Sequence, residues 1–322
     1  MRSFTAGMWV FGQIIDRYAT DGYGPRVGTL ESIELAAKTG VLSGLDINYP
    51  FPEPDLTVEA VASALRTHEL SAVSVTPVIY NRGFRSGSFT NADPAIRRKA
   101  LDLAHESVDV ARTLGARYVK FWPGQDGYDY PFQVDYPTLR KHGIEGIRDV
   151  ARNFPEMTFG IEYKLKEPRT RLFWSTATAS LLGIERMHVD NVGLVVDFGH
   201  SLFAKENPAE ALSLAHELGR LVNIELDDNY REWDDDLTVG ALHLVETLEF
   251  LHVVRQIGWT EPLKLDLFPY REDAVDAVRT SVATLQLLEQ RCEKLDLKEL
   301  REAQDRHDSL AAQRLVQKAL LG

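Results

Sequence analysis

The chain has 322 residues, the usual length of an α/β barrel, and its 44% hydrophobic and 26% charged residues are typical of a globular protein. With 36 Lys and Arg against 48 Asp and Glu, the formal net charge is −12, which disfavours nucleic acids and anionic membranes as partners. The single cysteine, Cys292, excludes an internal disulfide, and no apolar run is long enough to span a membrane, so we expect a cytoplasmic protein.

Short segments rich in β-branched and aromatic residues alternate with longer amphipathic segments, which is the order expected of βα units around a parallel sheet. The predicted strands are, in chain order, Thr5–Phe11, Gly44–Asn48, Ala72–Pro77, Tyr118–Phe121, Thr158–Tyr163, Gly193–Asp197, Leu221–Leu226 and Leu263–Leu267. Eight strands separated by helices predict a closed (β/α)₈ TIM barrel over residues 1–290. No G-x-G-x-x-G sequence follows a strand, which disfavours a dinucleotide-binding sheet.

Helical patterns fill the segments between these strands. The clearest is Pro94–Leu114, where Asp93 can cap the helix, Pro94 lies in its first turn and apolar residues recur at helical spacing. Ala209–Leu218 and Val245–Ile257 show the same pattern.

Residues 291–322 are highly charged and carry leucines and alanines at helical spacing. We expect a C-terminal helical tail there, which is either a solvated terminal helix or an arm that packs on another subunit. No Ser/Gly-rich linker interrupts the chain, so no second globular domain is expected.

Carboxylates occur at the carboxyl ends of the last four predicted strands, where α/β barrels place their functional residues. Each lies in an otherwise apolar segment, and together they are Glu162, Asp197, Glu225 and Asp266. Four buried carboxylates around one axis would repel one another unless they were paired or metal-bound. Hard oxygen ligands suit Mg²⁺ or Mn²⁺, and Co²⁺ is also compatible. The alternative is that each acid pairs separately with Lys or Arg.

A second group of candidate ligands lies close by in the sequence. His200 follows Asp197 by three residues, and the acidic run Asp234–Asp236 comes shortly after the seventh strand. With Asp197 as a bridge, His200, Asp234 and Asp236 would hold a second metal ion. Taken alone, the acidic run is typical of a solvated turn and the histidine of a structural role.

Six segments, in the same order, resemble motifs of the xylose isomerase-like barrel family. They are Gly87–Asn91, Phe121–Gly127 (W-G-G-R-E-G in the family), Glu162–Arg169 (E-P-K-P-x-E-P-R), Gly199–His200 (E-x-G-H), Asp234–Leu237 (D-x-D-L) and Leu265–Asp273 (F-D-x-K-P-x-R-x-E-D). Together they span roughly residues 80 to 275, on the expected strands. The resemblance implies a sugar-converting TIM barrel that forms a dimer or tetramer.

The resemblance also implies roles for individual residues. The implied ligands of the first metal are Glu162, Asp197, Glu225 and Asp266, and those of the second are Asp197, His200, Asp234 and Asp236. The candidate catalytic residues are Lys164, which would contact a substrate oxygen, with Glu162, His200 and Asp266. The candidate substrate-binding residues are Trp122, Asn48 and Arg271.

The chain departs from the family at three positions. Asp197 replaces a family glutamate and Glu225 replaces a family aspartate, so the metal would shift. In the second strand the family carries a histidine that assists sugar ring opening, whereas this chain has Asn48. Because an amide cannot act as an acid or base near neutral pH, ordinary aldopyranose isomerisation is disfavoured.

We therefore expect a divalent-metal-dependent isomerase or epimerase that acts next to the carbonyl of a sugar or keto-sugar. One alternative is the α subunit of a C-glycoside deglycosidase, a carbon–carbon lyase with a small β subunit. Its aromatic aglycone would contact Tyr128, Tyr130, Phe132 and Trp233, which can equally be packing residues of the loops. The net charge and the lack of a histidine-rich ligand set disfavour an apurinic endonuclease, and so complete a ligand set disfavours a non-catalytic partner subunit.

Overall fold

The predicted barrel is confirmed by a computed structural model that describes residues 2–322. Eight parallel strands close into one barrel: β1 (Phe4–Gly7), β2 (Leu42–Tyr49), β3 (Ser71–Pro77), β4 (Tyr118–Phe121), β5 (Thr158–Glu162), β6 (Val192–Asp197), β7 (Leu221–Leu226) and β8 (Leu263–Leu265). Each strand pairs with the next in chain order, and β8 pairs with β1 to close the ring. The carboxyl ends of all eight strands therefore open onto one face.

Helices surround this barrel. They are α1 (Thr29–Lys38), α2 (Val58–Thr67), α3 (Pro94–Leu114), α4 (Tyr136–Asn153), α5 (Ala177–Glu185), α6 (Phe198–Phe203), α7 (Pro208–Glu217), α8 (Leu244–Gln256), α9 (Ala274–Cys292), α10 (Leu297–Asp305) and α11 (Ser309–Leu321). All of them except α1 and α8 begin at a residue whose side chain caps the helix. The Asp93 carboxylate accepts from the backbone N–H of Ala95 at the start of α3, as predicted. That helix ends at Gly115, whose φ of 70° suits glycine.

The first strand is shorter than the sequence predicts. It ends at Gly7, and the apolar residues Met8–Phe11 form a 3₁₀ turn instead of continuing the strand. A side chain on Gly7 would collide with the ring of Trp9. The turn thus aims Trp9 into the mouth of the barrel, where its indole N–H donates to Asp266.

A small antiparallel sheet stands beside the carboxyl ends of the barrel strands. Its three strands, Gly127–Tyr128, Thr170–Leu172 and Lys166–Glu167, join the loop after β4 to the loop after β5. Because Lys164 immediately precedes this sheet, the sheet fixes the loop that carries its side chain.

The C-terminal tail contains two helices, α10 and α11. The second packs on α9, with Ala319 buried and with Val316 and Leu320 against the barrel core. These contacts with the chain's own barrel account for part of the apolar face of the tail. Within residues 2–322, no helix is both long and apolar enough to cross a bilayer.

Candidate active site

A cavity of about 450 Å³ opens at the carboxyl ends of the barrel strands. Six aromatic side chains line it: Trp9, Tyr80, Trp122, Trp233, Phe268 and Tyr270. Carboxylates and lysines form its floor, among them Glu162, Lys164 and Asp266. Aromatic walls above a small set of polar groups are typical of small-molecule sites.

The four acids predicted for the inner site do come together. One oxygen from each of Glu162, Asp197, Glu225 and Asp266 lies within 4.8 Å of the others, and all four side chains are buried. They belong to β5, β6, β7 and the residue that follows β8. The alternation of side chains along parallel strands explains why single acids in apolar segments meet at the barrel axis.

Glu225, however, is held by two buried lysines. Its Oε1 lies 2.5 Å from Lys264 Nζ, and its Oε2 lies 3.2 Å from Lys120 Nζ. Asp46 completes the group, because its Oδ2 lies 2.7 Å from Lys264 Nζ and 3.3 Å from Lys120 Nζ. We call Asp46, Lys120, Glu225 and Lys264 the ion cage. The alternative of Lys-paired acids thus holds for Glu225 and also for Glu162, whose Oε2 lies 2.5 Å from Lys120 Nζ.

Three members of the ion cage carry no role predicted from the sequence. Asp46, Lys120 and Lys264 each interrupt an apolar strand, in the same way as the acids that were singled out. A charged residue within an apolar strand, lysine as well as aspartate, was therefore the sequence feature that could have identified these three residues.

Asp227, which follows β7, was also not chosen as a ligand. Both of its carboxylate oxygens are buried, and neither has a hydrogen-bond partner within the part of the chain that the structure describes. One of them lies within 4.8 Å of oxygens of Asp234 and Asp236. A Cβ on Gly199 would collide with both Asp227 oxygens, so this glycine leaves the space that the carboxylate occupies.

His200 connects the inner acids to the outer ones. Its Nδ1 lies 3.3 Å from Glu162 Oε1 and its Nε2 lies 3.0 Å from Asp234 Oδ2. Lys164 Nζ approaches Asp234 Oδ2 to 3.0 Å and Glu167 Oε2 to 2.6 Å. The predicted second set is thus only partly joined, because Asp236 groups with Asp234 and Asp227 rather than with His200.

The close packing of these buried acids shifts the pKa values of several groups in the site. Burial, together with Asp266, Asp234 and Glu162, raises the pKa of Asp197 to about 8, although His200 opposes this shift. Burial opposes the charge on His200, but Asp197 and Asp234 outweigh it and raise the pKa of His200 to about 10. Burial and neighbouring acids likewise raise the pKa of Asp227 well above its usual range. Unpartnered, mutually repelling carboxylate oxygens beside an imidazole fit a divalent metal.

The three predicted substrate-binding residues differ in position. Trp122 lines the cavity, and Lys164 Nζ lies 5.5 Å from the centre of its ring. Asn48 also lines the cavity and donates from Nδ2 to Tyr80 Oη at 2.6 Å. Arg271 is instead exposed, with its guanidinium 4.9 Å from the centre of the Tyr23 ring.

Of the four aromatic residues predicted to contact an aglycone, only some line the cavity in the part of the chain that the structure describes. Trp233 lines the cavity, with its ring 5.6 Å from that of Phe203. Tyr128, Tyr130 and Phe132 lie outside the cavity lining, and Tyr130 and Phe132 are largely exposed. The antiparallel pairing of Gly127–Tyr128 directs this loop outward along the small sheet.

The barrel fold agrees with comparisons to known proteins. A family model described as xylose isomerase-like TIM barrel matches residues 30–288. The chain belongs to the xylose isomerase-like TIM barrel family. This confirms the resemblance seen in the sequence motifs.

Individual proteins show how far the likeness extends. A xylose isomerase from Thermus thermophilus is 25% identical over 312 residues, covering 90% of this chain and 80% of the relative. The solved structure of an L-ribulose 3-epimerase superposes with a TM-score of 0.71 at 14% identity, covering 91% and 96% of the two chains. A 3-keto-D-glucoside 4-epimerase from E. coli gives a TM-score of 0.63 at 17% identity, covering 80% and 93%.

Proposed function

We propose that this protein is a divalent-metal-dependent sugar isomerase or epimerase that acts next to the carbonyl of a keto-sugar. The observation that carries the proposal is that Asp197 Oδ2 and both oxygens of Asp227 are buried without a hydrogen-bond partner within residues 2–322. Asp197 clusters with Glu162 and Asp266, which line the aromatic cavity. The named relatives act on pentoses, ketoses or a keto-glucoside, which supports a sugar substrate.

The inner metal would be held by Glu162, Asp197, Asp227 and Asp266. We propose Asp227 in place of the expected Glu225, because two lysines hold Glu225 whereas neither Asp227 oxygen has a hydrogen-bond partner within residues 2–322. Asp227 lies beside Asp234 and Asp236. It is also close enough to Asp197 and Asp266 for both carboxylates to raise its pKa. The outer metal would be held by Asp197, His200, Asp234 and Asp236. Mg²⁺ or Mn²⁺ suits this oxygen-rich set, with Co²⁺ also compatible, and would act as a Lewis acid on adjacent substrate oxygens.

Residues of the chain would orient and shield the substrate. Lys164 carries an ammonium at the cavity floor, where it can hold the substrate oxygen that gains negative charge. Trp122 and the other aromatic walls would pack on the apolar face of the sugar and exclude water.

The strand-two side of the cavity offers no group that can transfer a proton near neutral pH. Asn48 is an amide, and the hydroxyl that it contacts belongs to Tyr80, whose pKa burial raises further above its usual value of 10. A cyclic aldose would therefore receive no help with ring opening from this side. A substrate whose carbonyl is already exposed, such as an open-chain ketose or a ring ketone, needs none.

We expect kcat/KM on D-xylose and D-glucose to be at least about 100-fold lower than on open-chain ketoses or 3-keto-glycosides, since general acid–base catalysis is worth about 10²–10⁴. The measurement compares the substrates at fixed, saturating Mn²⁺. As a control, Mn²⁺ affinity should not differ for an Asn48→Ala variant, because Asn48 is not among the proposed ligands and the substitution adds no charge to the cavity. Equal turnover of D-xylose and the ketoses would show that the strand-two departure has no effect.

A carbon–carbon lyase remains the second candidate, favoured by the six aromatic side chains around one cavity. Only Trp233, of the four aromatic residues first considered for an aglycone, belongs to this lining. Incubation with a 3-oxo-C-glycoside, with and without a candidate small β subunit, separates the two functions. A lyase releases the free aglycone, whereas an epimerase returns an isomer of the same mass.

A further inference from the structure

Lys120 on β4 connects the ion cage to the proposed metal ligands. Its ammonium nitrogen lies 2.5 Å from Glu162 Oε2, and the residue is only 2% exposed yet borders the cavity. Lys264, the other lysine of the cage, is equally buried, but among the acids of residues 2–322 it contacts only Asp46 and Glu225. The two lysines therefore share an environment and differ in their contact with a proposed ligand.

We propose that Lys120 is a positioning residue of the reaction site, which occupies Glu162 Oε2 so that Glu162 presents only Oε1 to the inner metal. This inference rests on the proposed metal-dependent function and deepens it. The free oxygen, Oε1, faces His200, with Nδ1 of that ring 3.3 Å away. Glu162 would thus be a one-oxygen ligand whose charge is shared with an ammonium.

The surroundings of Lys120 hold it in this position. Its nitrogen lies 3.3 Å from Asp46 Oδ2, 3.2 Å from Glu225 Oε2 and 4.6 Å from the centre of the Trp9 ring. If the ammonium moved away from this position, the buried carboxylates of Asp46 and Glu225 would lose a compensating positive charge. Such a loss is costly in a low-dielectric interior. The ammonium is therefore a fixed charge rather than a mobile one.

A fixed positive charge at a ligand has two effects on the site. It repels the incoming cation, so metal affinity is held below what the carboxylates alone would give. It also reduces the charge that Glu162 can donate, which leaves a bound ion the stronger Lewis acid toward substrate. Lys120 would therefore lower the affinity of the site for the metal and increase the Lewis acidity of the bound ion.

The test compares Lys120→Met with Lys264→Met, each titrated in the metal-free state with Mn²⁺ by calorimetry and assayed at saturating Mn²⁺. We expect Lys120→Met to bind the inner Mn²⁺ at least tenfold more tightly than wild type. Its kcat should fall at least tenfold, with KM within threefold. Lys264→Met should leave Mn²⁺ affinity within threefold of wild type.

Unchanged or weaker Mn²⁺ binding by Lys120→Met, or an unchanged kcat, would overturn the inference, because a merely structural lysine lowers affinity or leaves it alone. If either single variant fails to fold, the same pair is compared on a Glu225→Gln background, which removes one acid for the lost ammonium. Absence of Mn²⁺ binding by the wild type would instead refute the proposed function. The two failures are therefore distinguishable.

Discussion

Replacing Asp227 with Asn is expected to lower kcat/KM by about 1000-fold, corresponding to about 4 kcal/mol of lost transition-state stabilisation. Mn²⁺ affinity should fall on the order of 100-fold, since residues that merely support ligands already contribute 10- to 100-fold. The physical reason is that Asp227 supplies two unpartnered, buried oxygens, whereas an amide supplies one neutral oxygen. Kinetics and Mn²⁺ calorimetry measure both effects, and unchanged circular dichroism would show that the barrel is intact.

Glu225→Gln is the matched control, because Glu225 lies two residues before Asp227, near the end of β7. It should destabilise the fold by about 3–5 kcal/mol, as expected when one partner of a buried ion pair is removed. Mn²⁺ affinity should change far less than in Asp227→Asn. The assignment of Asp227 would be wrong if Glu225→Gln abolished Mn²⁺ binding while Asp227→Asn retained it.

A second variant tests the same position without altering its chemistry. Gly199→Ala places a methyl group where the Asp227 carboxylate lies, so it should displace that carboxylate and weaken Mn²⁺ binding in the same direction. Its circular dichroism spectrum should remain that of the wild type. Wild-type Mn²⁺ affinity in Gly199→Ala would show that the position of Asp227 is unimportant.

Removal of metal with EDTA is expected to lower the melting temperature by roughly 10 °C. A ligand at about 1000 times its Kd stabilises the folded state by about 4 kcal/mol, and each kcal/mol shifts the melting temperature by roughly 2–4 °C in a chain of this class. Adding Mg²⁺ or Mn²⁺ should reverse the loss. Differential scanning calorimetry with and without EDTA is the measurement, and no shift in either direction would remove the metal hypothesis.

The size of this effect should depend on pH. In the metal-free protein the pKa of Asp197 is about 8 against an ordinary 3.8, so between these values the folded state binds a proton that the unfolded chain lacks. Stability of the metal-free protein must then fall as pH rises through this window, by about 1.4 kcal/mol per unit for one such group. We therefore expect Mg²⁺ to stabilise more at pH 8 than at pH 5.5. A larger effect at pH 5.5 would contradict this linkage.

Much of the site was predictable from two features of the sequence: the alternation of side chains along each strand, and the position of the acids at the carboxyl ends of the strands. An acid that interrupts an apolar strand must face either the barrel axis or a helix, and at the carboxyl end of the strand it meets its counterparts. Glu162, Asp197 and Asp266 were found in this way, and all three lie in one cluster. Trp122 and Asn48, which were identified by motif resemblance, line the cavity.

Other placements could not be predicted because they depend on contacts between distant segments. Arg271 lies in a motif-like segment, but the segment turns so that Tyr270 lines the cavity while Arg271 covers Tyr23. The strand after Gly7 continues as an apolar run in the sequence, yet the clash of a side chain at Gly7 with the Trp9 ring marks a turn there. Neither the outward placement of Arg271 nor the turn after Gly7 produces a periodic pattern in the sequence.

The sequence by itself determined the (β/α)₈ barrel and the end of the barrel at which the acids gather, because both follow from alternation along the chain. Only the tertiary structure decided that two lysines hold Glu225 whereas Asp227 has no hydrogen-bond partner within residues 2–322. Glu225 and Asp227 are two residues apart at the end of one strand and look equivalent in the sequence. Lys120 and Lys264 reach Glu225 from two other strands, whereas Gly199 opens the space for Asp227, and these distances exist only once the barrel has closed.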